Sequence, residues 1–328
     1  MIQMRNLFYL ILTILNFNLI INGKDLDIEN KITLKAEITI GLEEGDENYI
    51  FGEINDVEIG SKGEIYILDS QNSRVQKFDK DGRFLLTIGR KGEGPGEFPY
   101  YPGAMTIDDK NRLYILLYKK ILIFDGNGKY LSAFPLQLSS NDLVIGSQNE
   151  LIILGFKNNK IFHVYNIKGE HMNSFGEIFD LPSKYEKYKN FPLLKVPIRL
   201  YYTKNNNLSI INPFKYEIIM YENKNLKQSI KRKIKQYKAP KVKKAKYARG
   251  TSFIMIFSNY SILEHRGKLF VSFKLEEEGY QMDIFKNYKY MDSIITKDFP
   301  QAIDEEGRIY SIDNSEVPKV KRYVIEIF

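Results

Sequence analysis

Gly63-Glu-Ile-Tyr-Ile-Leu-Asp69 opens on a turn residue and runs into alternating large apolar side chains. The same phrase returns as Asn111-Arg-Leu-Tyr-Ile-Leu-Leu117, Asn149-Glu-Leu-Ile-Ile-Leu-Gly155 and Asn206-Asn-Leu-Ser-Ile-Ile-Asn212. It closes the chain as Gly267-Lys-Leu-Phe-Val-Ser-Phe273 and Gly307-Arg-Ile-Tyr-Ser-Ile-Asp313. Six residues before the first apolar residue of each copy stand Ile59, Ile107, Ile145, Tyr202, Leu263 and Ile303, all large and apolar. One buried strand therefore precedes each turn. A third strand follows each phrase, as in Val75-Gln-Lys-Phe78 or Ile121-Leu-Ile-Phe124. Turns such as Asp81-Gly82 and Asn127-Gly128, whose residues tolerate positive φ, then lead to a fourth.

Four antiparallel strands repeated six times predict an all-β chain folded as a six-bladed β-propeller. The copies start 48, 38, 57, 61 and 40 residues apart, so two connections carry insertions. The sixth copy lacks an outer strand before the sequence ends. Ile32-Thr-Leu-Lys-Ala-Glu-Ile-Thr-Ile40 alternates well and is expected to supply it, closing the ring with an N-terminal strand and hiding two sheet edges.

Ile65-Tyr-Ile-Leu-Asp-Ser-Gln-Asn-Ser-Arg-Val-Gln-Lys-Phe78, followed by Gly89-Arg-Lys-Gly-Glu-Gly-Pro-Gly-Glu-Phe98, resembles the NHL-repeat propellers. More closely it resembles the exported bacterial six-bladed propellers related to them. The resemblance is specific over the first blade and the start of the second, and falls to pattern level from about residue 140. It implies a propeller fold and an interaction role. Asp69 has counterparts in Asn212 and Asp313, whereas Leu117, Gly155 and Phe273 depart from the pattern.

Zero cysteine among 328 residues removes disulfide scaffolds, thiolate metal sites and thiol catalysis together. The three histidines, His163, His171 and His265, fall at unrelated repeat positions and suggest no triad. Residues 7–21 are apolar but short for a membrane span, and follow a single basic residue, Arg5. Residues 1–23 are read as a signal peptide or N-terminal anchor and 24–328 as the propeller. The expected location is outside the cytoplasm, periplasmic, cell-surface or extracellular. No cysteine follows the apolar stretch, so no lipid anchor is expected.

The formal charge of +7 is uneven. Residues 224–249, bounded by Lys224 and Arg249, carry twelve Lys or Arg and no acid, while the chain outside this run and Arg5 sums to −6. The run reads as a solvated outer strand of the fourth blade followed by a linker, with a weak contact to an anionic surface as the functional alternative. Nucleic acid is not an expected partner. Asp69 with Asn72 and Arg74 reads as a strand-end Asx turn. Residues 89–96 read as an inter-blade crossover, and Tyr185, Tyr188, Tyr201 and Tyr202 as packing of the insertion, or alternatively a ligand rim.

One constellation points to the propeller axis. Ten residues before the first apolar residue of a phrase stand Asn55, Asn141 and Asn259. Asp56 and Asp142 follow two of them, and Arg199 takes the Asp position in the fourth blade. Equivalent positions converge at one channel mouth, where they form a candidate ligand site. Oxygen-rich side chains there could hold Ca²⁺ or another divalent cation, the only cofactor suggested. The leading expectation is a monomeric, non-catalytic binding module for a protein, peptide or glycan. The alternative is a metal-dependent hydrolase or lyase similar to the gluconolactonase-like propellers.

Overall fold

The computed structural model describes residues 32–177, 182–184, 199–202, 207–234, 237, 241–247, 250–256, 260–275 and 279–327. The leader, Tyr185, Tyr188 and Asn259 lie outside the described residues. Six four-stranded sheets are built from strands between Ile32 and Ile327. The first holds β2 (Ile54–Ile59), β3 (Ile65–Asp69), β4 (Arg74–Phe78) and β5 (Phe84–Ile88); β1 (Ile32–Ile40) precedes it and belongs to the last. The second holds β6 (Ala104–Ile107), β7 (Leu113–Leu117), β8 (Lys120–Phe124) and β9 (Tyr130–Pro135). The third holds β10 (Ser140–Ile145), β11 (Leu151–Lys157), β12 (Lys160–Tyr165) and β13 (His171–Glu177). The fourth holds β14 (Tyr201–Tyr202), β15 (Asn207–Ile211), β16 (Glu217–Glu222) and β17 (Asn225–Lys231).

Between the fourth and fifth blades, β18 (Lys241–Tyr247) pairs with β19 (Gly250–Ile256) as a separate antiparallel ribbon. The basic run is thus part outer strand, as its alternation predicts, and part hairpin where a linker is expected. The fifth blade holds β20 (Tyr260–His265), β21 (Lys268–Lys274), β22 (Tyr280–Lys286) and β23 (Lys289–Thr296). The sixth holds β24 (Phe299–Ile303), β25 (Ile309–Asp313) and β26 (Lys319–Ile327), with β1 lying outside β26. The ring closes through the N-terminal strand, as expected.

The innermost strands touch in the order β2, β6, β10, β14, β20, β24 and back to β2, which defines a central channel. The core lies between blades. Ile65, Ile67 and Phe78 of the first blade pack with Tyr310, Ile312 and Val320 of the last. Tyr66, Leu68 and Val75 pack with Leu113, Ile115 and Phe124 of the second. Both faces of the middle strands are therefore covered, and β3 and β7 are buried at every residue.

The recurring Gly or Asn has a backbone cause. Gly63, Asn111, Asn149, Gly267 and Gly307 all take a positive φ, between 57° and 85°. Two chemistries close the turns they complete. In the second and sixth blades an aspartate does so. Asp108 accepts from the N–H groups of Lys110 and Arg112 at 3.0 and 2.8 Å, and binds Arg112 Nε and the Tyr114 hydroxyl. Asp304 repeats this with Glu306, Arg308 and Tyr310. In the first and third blades glycine replaces the aspartate and glutamate the arginine. Glu64 accepts from Lys62 N at 3.0 Å and Glu150 from Gln148 N at 2.8 Å. Those carboxylates fold over Gly60 and Gly146, where a Cβ would stand 2.9 and 2.7 Å from a glutamate side-chain atom.

Closure is fixed by side chains as well as by strands. Arg322 of β26 donates to Glu37 of β1 at 3.0 Å and to the Lys80 carbonyl of the first blade at 2.6 Å. Asn314 binds both backbone groups of Ile54, accepting at 3.0 Å and donating at 2.7 Å. Asp69 is fully buried and accepts from Gly52 N, Asn72 and Arg74, the strand-end role read for it. Residues 89–98 form the crossover between the first two blades, with Phe98 buried against Gly89.

Candidate functional site: the axial channel

The channel encloses a cavity of about 230 Å³ lined by the innermost strand of every blade. At the end where those strands turn back, Ile59, Ile107, Ile145, Tyr202, Leu263 and Ile303 line it. These are the six register positions of the repeat. They sit at the last or a late residue of each inner strand, and most are half-buried because they look onto the cavity.

At the end where the strands begin, the structure brings Asp56, Asp142 and Arg199 together. Arg199 crosses from the fourth blade to Asp56 of the first, on the opposite side of the ring, at 3.1 Å. The same nitrogen, Nη1, reaches Asp142 at 3.4 Å, and Nη2 donates to the Asn55 carbonyl. The carboxylates also cap N–H groups that the inner strands leave without a ladder partner. Asp56 accepts from Val57 N and Met105 N at 3.0 and 2.9 Å, and from the Gln301 amide at 2.7 Å. Asp142 accepts from Leu200 N at 2.7 Å, tying the third blade to the fourth. An inner-strand edge buried in a channel must find such acceptors.

The recurrence of asparagine is explained by strand register. The ladder of β2 with β3 skips Asn55, and that of β10 with β11 skips Asn141. Each is the extra residue of a β-bulge, which redirects the following aspartate. The Asn55 amide donates to the Pro102 carbonyl at 3.3 Å, and neither asparagine lines the cavity. Of the six residues singled out, three meet at the axis, two form the bulges behind them, and Asn259 lies outside the described residues.

Glu58 and Gln301 also line the cavity and have no repeat signal to reveal them. Alternation from Asp56 places Glu58 two residues on, on the same side of β2, which is the one clue available. Burial is the main force on all three acids. It raises Asp56, and it raises Asp142 to about 7 despite the nearby guanidinium. Glu58 is raised well above the usual range by burial, then by Asp56 and Asp142. Three carboxyls share one guanidinium, so the attraction cannot restore each of them. Burial also pushes Tyr201 up to about 12; its hydroxyl donates to the Glu264 carbonyl at 2.8 Å.

Other candidates resolve differently. His163 is buried and shares a 2.8 Å hydrogen bond with Ser174, while His171 is exposed. Within the basic run, Lys224, Lys227, Lys231 and Arg232 pair with Glu150, Glu222, Glu217 and Asp283. Those four charges each have an acidic partner within the molecule. Among the described residues, no group of three or more His, Asp or Glu is arranged to hold a metal, and no helix is long and apolar enough to cross a membrane.

This architecture defines a six-bladed propeller with a charged ring across one end of its channel. The sequence matches the family described as a 6-bladed beta-propeller, DUF5128, over residues 24–317, and the chain belongs to that family. No curated protein matches it. Among solved structures it is similar to a Bacteroides fragilis protein classed by its name as exported. That likeness has a TM-score of 0.65 and 13% identity, over 93% of this chain and 98% of the other. It is also similar to a DUF4221 family member from Bacteroides vulgatus (TM-score 0.54, 12% identity, 91% and 99% covered). A third is virginiamycin B lyase from Staphylococcus aureus (TM-score 0.54, 12% identity, 90% and 99% covered). At these identities the likeness is one of fold.

Proposed function

We propose that this chain is an exported, non-catalytic binding propeller whose axial channel receives part of a protein, peptide or glycan ligand. One observation carries the reading. Asp56 and Asp142, the two acids that the repeat register brings to the axis, are both occupied by strand-edge N–H groups and by Arg199. A general acid or base must be able to exchange its proton with a substrate, and these two are held by the scaffold. The guanidinium also stands between the two carboxylates where a divalent cation would compete for them. The name of the Bacteroides fragilis protein supports export.

The test screens purified full-length protein on peptide and glycan arrays, and separately on a lactone and ester panel with Ca²⁺, Mg²⁺ or Zn²⁺. The expected outcome is saturable array binding that is unchanged by a chelator, with no turnover. Metal-dependent hydrolysis would replace this reading with the hydrolase one.

A further inference from the structure

The axial cavity has an unbalanced set of polar groups. Asp56 and Asp142 are fully engaged, but the Glu58 carboxyl makes no hydrogen bond or ion pair among the described residues. Gln301 donates its amide N–H to Asp56 at 2.7 Å, which fixes its Oε1 as an acceptor, and that buried oxygen has no partner. Ser261 is 1% exposed and its hydroxyl also lacks a partner. All three residues line the same cavity. The Gln301 and Ser261 oxygens are shut off from the space itself, so of the three only the Glu58 carboxyl is open to it. An alkylammonium carries a positive charge and N–H donors but no acceptor, the complement of an unpaired carboxyl.

Charge and shape agree. Asp56, Glu58 and Asp142 face one Arg199, so acids outnumber the cation three to one. Beyond them the wall becomes apolar, with Ile59, Ile107, Ile145, Leu263 and Ile303. A cavity of about 230 Å³ holds roughly seven waters at about 30 Å³ each, room for a four- or five-carbon chain with its head group. A bare inorganic cation would make no use of the apolar wall, and one open carboxyl is a poor coordination set for it.

We infer that this cavity binds an aliphatic ammonium group, with its charge on Glu58 and its alkyl stem against the isoleucine-rich wall. The inference rests on the binding reading above and gives it a ligand chemistry. The group can arrive as a free amine or as a lysyl side chain of a peptide. Glu58 faces Asp56, Asp142, Arg199 and Tyr201; burial first, and then Asp56 and Asp142, hold its proton when the cavity is empty. An entering ammonium favours the ionised carboxylate, so binding releases a proton to solvent.

Calorimetry on the full-length protein tests this with n-butylamine, n-butanol and Nα-acetyl-lysine amide as probes. Butylamine should bind about thirtyfold or more tightly than butanol, and Glu58→Gln should remove that preference. The binding heat should also change with the ionisation heat of the buffer. If the lysine amide binds and butylamine does not, the lysyl source is selected; equal binding of both selects the ammonium group alone. Equal affinity for butylamine and butanol in the wild type would overturn the inference without any variant. So would failure of all three probes, or displacement of the amine by equimolar CaCl₂. Array binding that persists when the amine probes fail would leave the binding reading standing and remove only this one.

Discussion

Asp142 shows how one buried acid ties the site to the stability of the fold. Its pKa rises from 3.8 to about 7 on folding, because burial outweighs a guanidinium shared with Asp56. A carboxyl with a raised folded pKa holds its proton more tightly in the native state. Its contribution is fully present below about pH 4 and is lost as pH rises to about 7. Relative to the wild type, Asp142→Asn should therefore gain stability between those two values, measured as the difference in urea midpoints. A difference that does not change across this window would mean that Asp142 is ionised throughout. Asp142 was accessible from the repeat register because it occupies a fixed offset. Glu58 was not, since a single acid inside an alternating strand looks like any solvent-facing residue until the six blades are assembled around it.

At the scale of single elements, the turn between the first two strands of a blade decides whether the repeat is visible. Asp108-x-x-Asn111-Arg112 and Asp304-x-x-Gly307-Arg308 place carboxylate, left-handed residue and guanidinium at the same spacing. Gly60 with Glu64 and Gly146 with Glu150 reach the same turn by opposite charge placement. Lys77 and Lys224 then supply the cation from elsewhere, at 3.5 and 3.3 Å. The left-handed residue is common to all and was readable. The charge exchange hides the rest, because no single residue is retained at the aspartate position. Asp304→Ala should cost about 2–3 kcal/mol, since it frees two backbone N–H groups and Arg308. Asp304→Gly combined with Arg308→Glu should recover much of that loss, as read from denaturation midpoints. A double variant no better than Asp304→Ala would show that the two chemistries are not interchangeable. The hairpin of β18 and β19 was missed for a different reason. Its first strand, Lys241–Tyr247, is dominated by lysine, which hides alternation behind charge.

For the whole molecule, stability depends on the seam between the sixth and first blades. Arg322 holds β1 and the first blade at once, and Asn314 holds the start of β2. Arg322→Ala should cost about 3 kcal/mol through two charge-assisted bonds. Hydrogen exchange should speed first in β1 and β26. If exchange instead rises evenly in all blades, the seam is not the weakest joint. The six-blade count and the seam were both legible in the sequence, because each depends on strand periodicity. The composition of the channel was only partly so, because it depends on which residues of separate blades come to face one another.

The pairing of Glu37 with Arg322 spans 285 residues, nearly the whole chain. Of the described strands, β1 leaves the ribosome first and is the last to find its place. Until residues 319–327 exist, β1 has no neighbour in its own sheet, and the five earlier sheets can assemble only as an open arc. Contacts this distant in sequence make for slow completion. A chain halted before β26 would keep a bare sheet edge at each end of the arc, marking unfinished copies for proteases or for one another.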